Sequence, residues 1–106
     1  MAQFDVYENE EPDSKDAIPF LLDVQHDLHD SLSTRTVVPL VSIISAKQAA
    51  AKLCPRFDIE GSDVVMSTPE MAGYPTRYLR NKVASLKDSR REILDAIDFL
   101  LNVQIK

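Results

Sequence analysis

Cysteine is almost missing from this sequence. Cys54 stands alone among 106 residues, which excludes an intrachain disulfide. Glycine is nearly as scarce: Gly61 and Gly73 are too few for a glycine-rich phosphate loop, and nucleotide binding of that kind is excluded. No apolar run approaches the ~20 residues of a membrane-spanning helix, and the opening MAQFDVYENE lacks the layout of a signal peptide. With the lone cysteine, these absences set the cytoplasm as the expected compartment and no membrane as a partner. Positive charge is not in excess either. The net charge is −5, with nine acids and one base in residues 1–30 against eleven bases and eight acids in residues 31–106. The densest basic stretch, Arg77 to Arg91, holds six bases and one acid. Phosphate binders usually combine a basic patch with an overall positive balance, so nucleic acid is not favoured as the primary ligand. There is no internal repeat and no low-complexity tract.

What is present fits one domain over residues 1–106, with an ordinary 44% of hydrophobic and 27% of charged residues. QFDVY (Gln3–Tyr7) alternates, with Phe4 and Val6 on one side and Gln3, Asp5 and Tyr7 on the other, the period of a half-buried strand. ENEEPDSKD (Glu8–Asp16) is an acidic loop. PFLLDVQHD (Pro19–Asp27) alternates again, placing Phe20, Leu22 and Val24 opposite Leu21, Asp23 and Gln25. TRTVVPL (Thr34–Leu40) is its expected antiparallel partner, with Pro39 at a sheet edge or strand end because it lacks a backbone donor. SAKQAAAKL (Ser45–Leu53) is expected to be a short helix. CPRFDI and DVVMST follow as two strands around a turn at Glu60-Gly61-Ser62. TPEMAGYPTRYL is a turn leading into a strand from Pro75. From Ser85, with Asp88 completing a capping box, a helix buries Leu86, Ile93, Ala96, Ile97, Leu100 and Leu101, with Arg91 and Asp95 paired on its outward side. The expected class is α+β, mainly antiparallel β closed by a C-terminal helix.

Chemistry concentrates in QHDLHD, Gln25 to Asp30, which holds both histidines. As metal ligands, His26 and His29 would point to opposite faces of a strand, Asp27 or Asp30 could join them only if the loop curled, and Cys54 lies in a predicted strand with no partner motif. A polar loop is the better reading, and no metal or cofactor is expected. As an acid–base site, His26 or His29 with Arg35 is the trio a ribonuclease would use. The acidic N-terminal third would repel an RNA backbone, which favours surface or interface histidines. The terminal helix, followed by Val103 and Ile105, carries apolar residues on more than one face, a pattern met by core burial or by a twofold dimer.

QFDVY, DVQHDL, TRTVVPL, LCP before a strand, VMST, the EMA turn with its following proline, and AIDFLL together resemble, in order along nearly the whole chain, the CcdB toxins of bacterial toxin–antitoxin modules. The resemblance implies an SH3-like antiparallel barrel of the CcdB/MazF type with a C-terminal helix, a homodimer that binds the A subunit of DNA gyrase and traps the cleaved DNA complex, and no enzymatic activity. It also implies a CcdA-like antitoxin as partner, and contact with DNA only through gyrase or through operator repression with the antitoxin. QHDLHD then falls on the gyrase-facing loop, with Leu28 and His29 at its two apolar positions. A histidine there would make binding mildly pH-sensitive. Asp98, Leu101, Asn102, Val103 and Gln104 fall on the helix end and tail. The best-known members finish Trp-Gly-Ile. This chain has no tryptophan, carries Val103 at the glycine position and continues through Ile105 and Lys106. Losing an aromatic anchor typically costs about 2 kcal/mol or more at an interface. Two alternatives therefore stand beside gyrase inhibition: a ribonuclease of the related MazF and Kid type, using His26 or His29 with Arg35, and a gyrase-inactive relative that only binds its antitoxin. The acidic loop Glu8–Asp16, longer than in the commonest members, implies a cognate antitoxin that presents basic residues to it.

Overall fold

A computed structural model describes residues 2–46 and 51–102. The described residues form seven strands and one α-helix: β1 (Asp5–Glu8), β2 (Phe20–Asp23), β3 (Thr34–Ser42), β4 (Arg56–Ile59), β5 (Ser62–Met66), β6 (Ala72–Pro75), β7 (Lys82–Ser85) and α1 (Arg90–Leu101). The strands run antiparallel in the order β4-β5-β3-β2-β1-β7, with β6 also paired to β3. This is the expected mainly antiparallel β architecture with a C-terminal helix, a sheet curled into a half-barrel and closed by α1.

The sheet curls because β3 is long enough to serve two partners. Its first half, Thr34–Val37, pairs with β6, and its second, Leu40–Ser42, with β5. Pro39 lies between the two, well inside β3 and not at its end. In a strand the N–H and C=O of one residue point to the same side. The Pro39 carbonyl accepts from the Ser67 N–H at 2.9 Å, so the missing donor faces the gap where β6 has ended and β5 has not begun. That gap is why a proline is tolerated mid-strand.

Both faces of the sheet are covered, which corrects the half-buried reading of β1 and β2. One face carries the main core, including Phe4, Val6, Leu22, Val38, Leu40, Ile59, Val64, Met66, Ile93 and Ala96. The other carries a smaller cluster of Tyr7, Leu21, Val37 and Leu79, flanked by Ile18 and Tyr74. The β4–β5 hairpin turns on Glu60 and Gly61 at φ 53° and 83°, two left-handed residues as a type I′ turn requires.

Other expectations shift. The middle of the predicted helix at 45–53, residues 47–50, lies outside the described ones, and its flanks at Ser45 and Ala51–Leu53 are turns. The strand placed from Pro75 ends there instead. β7 pairs with β1 and was not anticipated. Ser85 closes β7, its hydroxyl accepts from the Lys87 N–H at 3.3 Å, and the α-helix begins only at Arg90 after a 3-10 turn, so no capping box forms. Of the helix's expected core residues, Ile93 and Ala96 are buried and Ile97 is partly so, whereas Leu101 is 66% exposed. Arg91 and Asp95 are exposed, with no ion pair between them among the described residues.

Candidate functional site: a stapled loop and the end of the helix

β2 ends at Asp23, and the chain from Gln25 to Ser33 must return to start β3. Arg35 organises that return from the facing strand. Its guanidinium is wholly buried: Nε donates to Asp23 Oδ2 at 2.9 Å, Nη2 approaches the same oxygen at 2.8 Å and donates to the Gln25 carbonyl at 2.9 Å, and Nη1 donates to Asp30 Oδ1 at 2.9 Å. Asp27 Oδ1 lies a further step away, 3.7 Å from Nη2. A buried guanidinium is stable only when its planar fork is satisfied, and here carboxylates and a carbonyl take it from two sides. Burial raises the Asp23 carboxyl above its ordinary range, while the hydrogen bonds from Arg35 and from the Gln25 N–H oppose that rise.

The rest of the loop is held at short range. Gln25 Nε2 donates to the His29 carbonyl at 3.0 Å, and its Oε1 accepts from the Thr36 N–H at 3.0 Å. Asp27 Oδ1 accepts from the Gln3 N–H at 2.7 Å. Asp27–His29 forms one 3-10 turn, capped by His26, whose Nδ1 accepts from the Leu28 N–H at 2.9 Å. The product is an ordered loop that presents Leu28 at 79% and Leu32 at 54% exposure, with His29 exposed between them. Exposed leucines on a rigid loop are the kind of surface that binds another macromolecule.

The ribonuclease trio is not assembled. Arg35 has its donors committed and no face open to solvent, so it cannot clamp a phosphate, and one nitrogen of His26 is engaged as a helix cap. Among the described residues no group of three His, Cys, Asp or Glu side chains is placed to hold a metal ion. The pairing of Asp23 with Arg35 was not anticipated. The legible signal was one charged residue of each sign inside two apolar strands that pair with each other.

At the far end of α1, Asp98, Leu101 and Asn102 are exposed on the last turn. Asn102 closes the helix, its N–H reaching the Asp98 carbonyl at 2.7 Å and its side-chain amide the Asp98 carboxylate at 2.9 Å. Phe99 lies on the same turn with the Lys52 ammonium 4.8 Å from its ring. Val103 and Gln104 lie outside the described residues.

No helix of the described residues is long and apolar enough to cross a membrane. No curated protein matches the chain significantly. A family model described as CcdB protein matches residues 3–102, from the first strand through the helix-closing Asn102 and so over nearly the whole chain. That match shows that the chain belongs to the CcdB protein family, toxins of toxin–antitoxin modules that are not themselves enzymes.

Proposed function

We propose that this toxin inhibits DNA gyrase by binding its A subunit and trapping the cleaved DNA complex, that it works as a cytoplasmic homodimer, and that a CcdA-like antitoxin neutralises it. Leu28 and His29 on the stapled loop, with Asp98, Leu101, Asn102, Val103 and Gln104 at the helix end and tail, form the gyrase-facing surface. DNA is contacted only through gyrase, or through an operator complex with the antitoxin.

The observation that carries this reading is the exposure of Leu28 on a loop locked by buried Arg35. An apolar side chain at 79% exposure has no role in the core, and ordering its loop beforehand lowers the entropy cost of docking. The same arginine weighs against a ribonuclease, which would need that guanidinium free.

The test is plasmid linearisation with purified gyrase, followed by protein denaturation. The expected result is linear DNA with the wild-type chain, strongly reduced for Leu28→Asp, and no cleavage of messenger RNA. Unchanged plasmid with wild-type protein, or equal toxicity in gyrase-sensitive and gyrase-resistant hosts, would overturn the assignment. A protein that leaves gyrase untouched yet still binds its antitoxin would be the gyrase-inactive relative.

A further inference from the structure

The turn that displays Leu28 depends on a histidine for its cap. Asp27–His29 is a single 3-10 turn, and like any helical start it leaves backbone N–H groups without partners inside the helix. The Leu28 N–H finds its partner in His26, which sits at the N-cap in extended backbone, φ −64° and ψ 143°, with Nδ1 at 2.9 Å. Arg35 fixes the two ends of the loop, through Asp23 and the Gln25 carbonyl before the turn and Asp30 after it. Between those ends the Asp27 side chain reaches the Gln3 N–H at 2.7 Å. Among the described residues, the backbone of Leu28 is held by a side chain only through the His26 ring.

That bond has a protonation requirement. A backbone N–H can only donate, so the ring nitrogen facing it must carry a lone pair, and the neutral ring keeps its proton on Nε2. Both nitrogens of an imidazolium are protonated, so a charged His26 would aim an N–H at the Leu28 N–H and the cap would become a repulsion. The usual capping residues Ser, Thr and Asn have no such dependence. Histidine ordinarily changes charge between about pH 5 and 8, and the His26 side chain is exposed to solvent. The charged groups around the turn are Asp27, His29 and Asp30 on the loop, Asp23 on β2, Arg35 on β3 and, bonded to the Gln3 side chain at 3.1 Å, Arg90 on α1. Arg35 is paired with Asp23 and Asp30. Burial raises the Asp23 carboxyl, and a response from Asp23 would survive replacement of either histidine.

We propose that His26 is a positioning residue: its neutral imidazole locks the turn that presents Leu28, and its protonation releases that turn, so that the toxin's grip through Leu28 weakens as the pH falls. This role rests on Leu28 as a gyrase contact and adds the residue that sets its order. It also moves the pH sensitivity from the contact histidine, His29, to the capping one. A released turn must re-form on docking, and affinity drops by the fraction of molecules that hold the competent shape. A side-chain cap typically changes helix stability by a factor of about five, which sets the size of both effects.

The test follows the full chain by nuclear magnetic resonance from about pH 8 down to about pH 5.5, across the imidazole range. It reads the His26 ring nitrogens and the protection of the Leu28 amide relative to an unfolded chain at the same pH. At the upper end Nδ1 should resonate as an unprotonated nitrogen, and Leu28 protection should fall about fivefold as the ring takes up its proton. His26→Ala, which removes the acceptor, should keep Leu28 at the low level at every pH. His26→Asn, a cap that does not titrate, should restore protection and abolish its pH dependence. His29→Gln should leave that dependence in place. Affinity for the gyrase A subunit, taken as the ratio of wild type to His26→Asn to cancel the target's own titration, should fall by up to about fivefold over the same range. Loss of the Leu28 response in His29→Gln, its survival in His26→Asn, or a constant affinity ratio while Leu28 loosens would overturn the proposal. No binding of the A subunit by wild type or variants, with the Leu28 response intact, would bear out the cap and sink the gyrase assignment instead.

Discussion

Arg35 is the residue on which the loop of Leu28 and His29 depends, and its removal has two separable effects. Arg35→Leu keeps the volume apolar but leaves Asp23 buried without its partner, a change that typically costs about 3–5 kcal/mol. The expected result is a lower urea midpoint, together with faster amide exchange at Leu28 and His29. The cost should depend on pH in a definite sense. A carboxyl whose folded pKa is raised contributes stability that is present below its unfolded value, 3.8 for Asp23, and lost as pH rises through the folded one. Without Arg35 to oppose burial the folded value climbs further, so the gap between variant and wild type should narrow as pH falls toward 4. A gap that widens on acidification would show that Asp23 stays ionised and paired elsewhere. Tyr7 gives the alkaline counterpart. Burial, then the charges of Asp5 and Asp23, push its phenol from 10.0 up to about 12. Stability from this group is complete below pH 10 and is lost as pH rises through 12, on the order of 2 kcal/mol for a shift of this size. Tyr7→Phe should flatten alkaline unfolding in that window, and it should cost little at neutral pH because the hydroxyl meets Asp5 only at 3.5 Å. The sequence drew attention to Arg35 for the wrong reason. Alternation put Asp23 with Leu21 and Gln25, opposite Phe20, Leu22 and Val24, and nothing in a single strand's pattern reveals that this second side is itself roofed.

Among elements, those with a regular apolar period were legible and those defined by their partners were not. The β4–β5 hairpin followed from two β-rich runs around Glu60-Gly61, because the turn chemistry is local. β7, with only Val83 and Ala84 apolar, exists because β1 offers it an edge, a tertiary cause that composition does not carry. The start of α1 moved for a similar reason: Ser85 was needed in the ladder with Asp5, and the cap was forgone. Helix α1 offers a clean separation of stability from function. Ile93 is wholly buried, so Ile93→Ala should cost about 2–5 kcal/mol in denaturant unfolding. Leu101 is 66% exposed, so Leu101→Ala should stay within about 0.5 kcal/mol of wild type. If the helix end grips gyrase, the same Leu101→Ala protein should nevertheless need several-fold more toxin to linearise plasmid. Stability lost with activity intact would place Leu101 in this protein's own core or dimer contact and remove it from the gyrase surface.

At the scale of the whole molecule, exposed large apolar side chains lie in separate parts of the described chain: Leu28 and Leu32 on the stapled loop, Ile44 at 92% after β3, and Leu101 at the end of α1. One target does not need all of them. A second copy, related by a twofold axis, would cover some of them, since a stable interface removes about 800 Å² from each partner. Light scattering should therefore report twice 11.9 kDa at micromolar concentration. The dimer should resist salt, because apolar burial is not screened. A monomer at every accessible concentration would leave the apolar surface to heterologous partners alone, and the gyrase surface would then have to be complete within a single chain.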